Sequence, residues 1–382
     1  MRIMTENPLN AETPVECLRS WITANSVFFH RNQSELKEPI SLNEYRLTIE
    51  GEVENPCRFS LAEILRLPKA IQANTVECSG NGRSLLKEPA AGNPWTIGGV
   101  GNAVWGGVWL KDLLNLARPK KQARHVALEG LDEPAGTAKI KFIRSIPLEK
   151  ASGTTLLAYE MNGEPLPLKH GFPLRALALG WVGANCVKWL SRILLLDRPF
   201  EGHYMDRAYR VFQKGQDSKI GEVVTRISLK SIITQPLREE KLKPGRIVVL
   251  GAAYGGEGEL KEIEISTDGG RSWEKGEWIG PREPFAWRQW QYLWEARQPG
   301  DFLDLAALVP QQLARRIEAH LVQHGTEGRP LALQTPVERA SMDGEQLGNP
   351  GHGGISCGNL CAQRALQFAH DACPRAPPRA PP

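Results

Sequence analysis

The chain has 382 residues, with 47 Lys+Arg against 43 Asp+Glu and a formal net charge of +4. That length exceeds one compact core of the commonest size, so two domains are expected. With 24% charged and 41% hydrophobic residues, wholesale disorder is excluded, and the small positive excess is no nucleic-acid signature. It would suit a small anion or an acidic protein partner. The seven cysteines are scattered and odd in number, which argues for reduced thiols in a cytoplasm and not for a disulfide framework. Residues 1–14 lack an apolar targeting core and a twin-arginine pair, so no leader is expected.

In chain order, residues 1–25 read as a polar lead-in with one short helix. The run Val27-Phe28-Phe29-His30-Arg31-Asn32-Gln33 flips from apolar to polar. Residues 45–51 alternate with period two and end at a glycine, which predicts a strand. Ser60 precedes a short helical pattern as its N-cap. Thr75-Val76-Glu77-Cys78 is a short strand that runs into Ser79-Gly80-Asn81-Gly82-Arg83. Residues 89–110 carry no charge, but Gly, Pro and Asn mark them as loop, so no membrane span is expected. Residues 109–114 are helix-like, and 125–130 and 189–196 read as buried strands. This irregular alternation predicts an α+β fold. From about residue 225 closely spaced strands with Gly turns predict a β-sandwich. Residues 303–321 are helix-like. The tail is Gly-rich and then Pro-rich, which predicts disorder over 341–382.

Cys78 is the most informative residue. It ends an apolar strand and opens a loop with Gly80 and Gly82. Such a loop lets backbone N–H groups approach an anion, and a thiolate there could be a nucleophile or a soft metal ligand. A buried core cysteine fits the same pattern. Arg31, Arg83, His170, Arg175 and Lys188 stand beside turn residues. Arginine binds oxyanions and phosphates in a bidentate manner, although solvated surface charge explains each of them singly.

Taken together, these segments resemble the sulfite oxidase family of molybdenum enzymes. The resemblance rests on residues 75–83, on Gly98-Gly99-Val100-Gly101-Asn102-Ala103-Val104-Trp105-Gly106-Gly107-Val108-Trp109-Leu110, on residues 156–167, and on His170-Gly171-Phe172-Pro173-Leu174-Arg175 with Val187-Lys188-Trp189-Leu190. It covers about residues 27–296, in the family's order. It implies a molybdopterin-binding catalytic domain over 1–225, then an immunoglobulin-like dimerisation domain over 226–340 with atypical last strands. It implies molybdenum–molybdopterin as cofactor and Cys78 as the protein thiolate on the metal. Phe29, His30, Arg31, Asn32, Gln33, Asp132, His170, Arg175, Cys186, Val187 and Lys188 match cofactor-holding positions. Arg31, Arg83 and Trp95 match the pocket for an anionic substrate, and Tyr209 matches a tyrosine beside the reacting oxygen. The implied reaction is oxygen-atom transfer to sulfite. Electrons leave to a separate acceptor such as a cytochrome c, because no haem domain is recognised in the chain. A homodimer is implied, with no nucleic-acid partner. Nitrate or sulfoxide reduction, and a non-catalytic protein that kept the fold, stand as alternatives.

Several positions depart from the family. Gln33 stands where a His is common, and Gly82 where an Arg is common. The stretch before Ser145-Ile146-Pro147 is unusually basic, ending in Lys141-Phe142-Ile143-Arg144. The sandwich offers acids, Glu257 and Glu259, where many members place an arginine that reaches the pocket. Residues 337–346 read one base later can spell part of the family's Trp-Asn ending. A tail translated out of frame is therefore expected, which resequencing the gene tests. His352, Cys357, Cys361, His370 and Cys373 also lie there, at a spacing that argues only weakly for zinc.

Overall fold

A computed structural model describes residues 1–34, 36, 40–86, 92–134, 140–211, 221–237, 240–296, 306–308 and 322–323. The chain divides into two compact units, Met1–Met342 and Asp343–Pro382, and every described residue lies in the first. The expected disordered tail, its frame and its cysteine and histidine cluster fall outside the described residues.

The N-terminus is a hairpin of β1 (Arg2–Thr5) and β2 (Asn10–Glu12), followed by a 3₁₀ turn at Val15–Arg19. The turn was expected and the hairpin was not. One five-stranded sheet then forms from β3 (Leu47–Gly51), β4 (Cys57–Phe59), β7 (His125–Gly130), β8 (Ile143–Pro147) and β12 (Leu190–Leu196). Its order is β4-β3-β12-β7-β8, with β12 parallel to β3 and antiparallel to β7. A second sheet contains β5 (Ala70–Glu77), β6 (Val100–Trp109), β9 (Thr155–Met161), β10 (Glu164–Pro165) and β11 (Arg175–Ala178), in the order β10-β9-β6-β5 with β11 also on β9. The helices are short: α1 (Leu61–Ile64), α2 (Leu110–Ala117), α3 (Leu148–Thr154) and α4 (His203–Asp206). At α1, Ser60 accepts from the Glu63 backbone N–H while the Glu63 carboxylate accepts from the Ser60 backbone N–H, a reciprocal cap. Leu110, Leu113 and Leu114 of α2 fill the core shared by the two sheets. The opposite face of the second sheet carries Val76, Ala103, Trp105, Ala158 and Leu177 beneath Phe28, Phe29 and Cys78. The site lies on that face.

The stretch 89–110, expected to be loop, contains the ten-residue strand β6. Its glycines are contact sites and not turn signals. A Cβ on Gly101 would lie 2.6 Å from the Phe28 ring, and one on Gly107 would lie 2.2 Å from the Leu157 carbonyl oxygen.

A short ladder joins β13 (Arg210–Val211) to β14 (Glu222–Val223). The rest of the described chain is again mostly sheet. β15 (Lys230–Gln235), β16 (Gly245–Tyr254), β19 (Glu277–Ile279) and β20 (Arg288–Ala296) form a sheet of order β15-β16-β20-β19. β17 (Glu264–Ser266), β18 (Glu274–Lys275) and β21 (Ala306–Leu308) form another, and β22 (Val322–Gln323) pairs with β13. Val249, Ala253, Ile263, Ile265, Trp290 and Trp294 make one core for this region. The helix expected over 303–321 is overturned at Ala306–Leu308, which pair antiparallel with β17. The apolar residues there continue a sheet, and sheet pairing overrides their helical spacing. The other residues of that stretch lie outside the described set. No helix among the described residues is long and apolar enough to cross a membrane.

Candidate active site

A cavity that opens to solvent lies over the second sheet. Phe29, Arg31, Asn32, Gln33, Cys78, Asp132, His170, Arg175, Cys186, Val187, Lys188 and Tyr209 all line it. Residues from six separate stretches of the chain therefore meet in one place. Three expected residues sit behind the wall. His30 stacks on His170, with ring centroids 4.7 Å apart. Trp95 is 1% exposed and meets Phe29 edge-on. Arg83 lies under the Cys78 loop, its guanidinium filling the space beside Gly80 and Gly92.

Each wall is fixed by local structure. The unforeseen hairpin holds the 30–32 segment: His30 and Ala11 exchange backbone hydrogen bonds of 2.8 and 3.0 Å. The Asn10 side-chain oxygen accepts from the Asn32 backbone N–H at 2.9 Å and from Arg31 at 3.3 Å. Cys78 follows β5 directly, and its N–H donates to the Gly99 carbonyl at 2.8 Å. Asn81 ties the loop down by donating to Glu77 at 3.0 Å and accepting from Gly99 N–H at 2.9 Å. Gly82 closes the turn with a φ of 86°, a conformation that glycine adopts without cost. Lys188 donates to the Asn32 side chain and to the Lys169 carbonyl. Arg175 donates to the His170 carbonyl at 2.9 Å and stacks over Trp105. Gln33 Nε2 donates to the Tyr209 hydroxyl at 2.7 Å. Trp189 and Tyr209, both on the wall, hold left-handed φ values of 49° and 56°, which cost about 1–2 kcal/mol each for a residue with a Cβ.

The cavity is rich in positive charge held against its own solvation. Burial, then the nearby Arg175 charge, holds the Lys188 ammonium well below its ordinary range, and Asp132 opposes this. Burial lowers Arg175 to about 10. Burial, then Lys188, lowers His30 to about 4 and His170 to about 2, so both rings are neutral at pH 7. Burial raises Asp132 to about 6. Burial also pushes the Cys78 thiol up, while Arg31 and Arg83 pull it down. The Nδ1 of His30 and the Nε atoms of Arg83 and Arg175 are buried with no hydrogen-bond partner among the described residues. Unsatisfied buried donors of this kind are costly and call for a ligand or water. Apolar walls with a few convergent polar groups are what an organic cofactor needs. The donor set fits an anionic one, and the Cys78 sulfur adds a soft ligand for a metal.

Residues 35–204 match the family model described as an oxidoreductase molybdopterin binding domain, and residues 222–298 match one described as a Mo-co oxidoreductase dimerisation domain. The chain is 36% identical to mitochondrial sulfite oxidase of Rattus norvegicus and 35% identical to sulfite oxidase of Gallus gallus, each over 76% of its own length. The matched part is 56% of the rat protein and 67% of the chicken protein. The chain belongs to the sulfite oxidase family. Its cofactor domain is of the molybdopterin-binding kind that the family model describes. Among solved structures, the sulfane dehydrogenase SoxCD from Paracoccus pantotrophus superposes with a TM-score of 0.65 at 28% identity, over 77% of this chain and 74% of that one. For this sulfite oxidase family member, the expected site residues leave out Phe28, Val76, Ser79, Phe142, Gly183, Ala184 and Trp189 on the cavity wall. All but Phe142 lie within three positions of an expected residue, so the signal for them is the extension of each motif.

Proposed function

We propose that the chain binds molybdenum–molybdopterin in this cavity and oxidises sulfite to sulfate, passing electrons to a separate acceptor such as a cytochrome c. The observation that carries this is one cavity wall shared by the Cys78 thiol, the Arg31 guanidinium and the Tyr209 phenol. Among the described residues no cluster of three or more His, Cys, Asp or Glu could hold a metal alone. Cys78 would therefore share its metal with sulfur brought by the cofactor. When bound, the cofactor supplies oxygen-atom transfer and takes up two electrons. Arg175 and Lys188 would hold its anionic portion, with Phe29, Arg31, Asn32 and Gln33 beside it and His30 backing His170 from behind the wall. Asp132, His170, Cys186 and Val187 would shape the rest of its cradle. Arg31 would neutralise and orient a sulfite dianion beside Tyr209, with Arg83 adding charge from beneath and Trp95 backing the wall. Residues 1–225 would form the catalytic domain. Residues 226–340 would form an immunoglobulin-like dimerisation domain, a reading that the two sheets over one core support. The likeness to SoxCD supports a sulfur-centred substrate.

The test is molybdenum and pterin quantification on the purified protein, with sulfite, nitrate and a sulfoxide compared as substrates. Sulfite-dependent acceptor reduction is expected, and Cys78→Ser should lower it on the order of 10³-fold or more with an unchanged circular dichroism spectrum. Full activity in that variant, or a wild-type protein without molybdenum, refutes the assignment.

A further inference from the structure

The unusually basic stretch before β8's Ser145 ends in Arg144, and Arg144 is 0% exposed. Its guanidinium donates to the Asn185 side-chain oxygen from two nitrogens, at 3.1 and 2.9 Å. It donates further to the carbonyls of Tyr204 and, at 3.3 Å, Val224. Every one of these acceptors is neutral. No carboxylate pairs with it among the described residues, and a second cation, Arg210, adds repulsion. Burial lowers it only to about 10, so it stays charged at pH 7. Its Cζ lies 5.3 Å from the centroid of the Tyr209 ring. Tyr209 also lines the cavity.

A buried cation without a counter-charge is expensive, and hydrogen bonding to carbonyls alone does not require one. Among the described residues no group supplies that counter-charge, and a bound anion would. The cavity beyond Tyr209 is the place for it. The three segments that Arg144 ties together also end at that cavity. Asn185 closes the 3₁₀ turn Gly183–Asn185, next to Cys186, Val187 and Lys188 on the wall. Tyr204 and Val224 flank Tyr209, and the Val224 N–H donates to the Tyr209 carbonyl at 2.7 Å. We infer that Arg144 is a positioning residue that holds Tyr209 in its left-handed backbone and strengthens binding of a small oxyanion dianion from behind that ring. This rests on the cavity being the sulfite site proposed above.

The experiment compares wild type with Arg144→Gln, Arg144→Met and Arg144→Lys as purified holoenzymes. Sulfate binding is followed by intrinsic tryptophan fluorescence, and KM and kcat are measured for sulfite. The two neutral variants should bind sulfate about tenfold more weakly, with KM raised by a similar factor and kcat changed by less than about threefold. Arg144→Lys keeps the charge and should recover most of the affinity. Unchanged sulfate affinity in a neutral variant overturns the inference. So does an equal loss in Arg144→Lys, which would mean that shape and not charge matters. If neither neutral variant folds, Arg144→Lys alone decides: near-native affinity supports the inference and a tenfold loss overturns it. A wild-type holoenzyme that binds no sulfate and oxidises no sulfite would instead sink the functional reading on which this depends.

Discussion

His30 and His170 stack with ring centroids 4.7 Å apart, and burial depresses them to about 4 and about 2. An unfolded histidine takes a proton near pH 6.5. Between those values the unfolded chain binds more protons, so each histidine removes stability as the pH falls below about 6.5. Asp132 runs the other way. Burial raises it to about 6, so between about pH 4 and 6 the folded chain binds the extra proton, and this offsets one histidine. These two histidines against one carboxyl contribute a net slope of about 1.4 kcal/mol per pH unit between pH 6 and 5, and His125, which burial also lowers, adds to it. Urea denaturation of the cofactor-free chain should show stability falling by at least that amount as the pH drops. His170→Gln should reduce the slope by about 1 kcal/mol per pH unit, and an unchanged slope in that variant would break the assignment. At this scale the sequence was informative where chemistry is concentrated: Arg31 to Gln33 and Cys186 to Lys188 stand in short runs beside turns. Arg144 stands in the sequence only as part of a basic run. Nothing in its neighbours says that a lone arginine is fully buried, because that depends on Asn185, Tyr204 and Val224, which are distant in the chain.

Strand β6 shows why some elements escaped. Its glycines at 101, 106 and 107 lower strand propensity and resemble loop composition, yet the strand is central, between β5 and β9. Gly101 and Gly107 are there because the Phe28 ring and the β9 backbone approach too closely for any side chain. The helix at Ser60 was legible because a cap and its partner Glu63 are local. The hairpin at the N-terminus was not, because its second strand is held by His30, and Thr13 just after it by Gly98 and Val100, all from other segments. The contrast can be measured. A Cβ on Gly107 would lie 2.2 Å from the Leu157 oxygen and 2.8 Å from the Ala158 Cα, all backbone of β9. Gly107→Ala must therefore push two strands apart, and should cost about 3 kcal/mol. Gly153 sits in α3 with nothing within 4 Å of its added Cβ. Gly153→Ala should stabilise by about 0.5–1 kcal/mol through helix propensity and a less flexible unfolded chain. Chemical denaturation of both variants checks the pair, and equal effects would show that the close approach at Gly107 is not rigid.

Across the whole molecule, the sheet-rich C-terminal region reaches back to the residue that precedes Cys78. Lys230 and Tyr254 are cross-strand partners at the near end of the β15–β16 ladder. Lys230 Nζ lies 2.8 Å from the Glu77 carboxylate, and the Tyr254 hydroxyl donates to the same oxygen at 2.9 Å. Glu77 is 1% exposed and also accepts from Asn81, which pins the Cys78 loop. A shared core of Leu18, Val100, Val182, Tyr209, Ile232 and Trp287 surrounds this link. Apolar burial thus joins the two regions, and one ion pair fixes where the Cys78 loop sits against them. Removing Lys230 strands a buried carboxylate, which typically costs about 3–5 kcal/mol. Lys230→Met should therefore lower unfolding stability by roughly that amount and reduce the molybdenum retained per chain after dialysis. Adding Glu77→Gln removes the stranded charge, so the double variant should recover at least about half of the loss. Additive effects in that cycle, or Lys230→Met with native stability and native molybdenum content, would mean that the two regions are joined at Glu77 by contact alone.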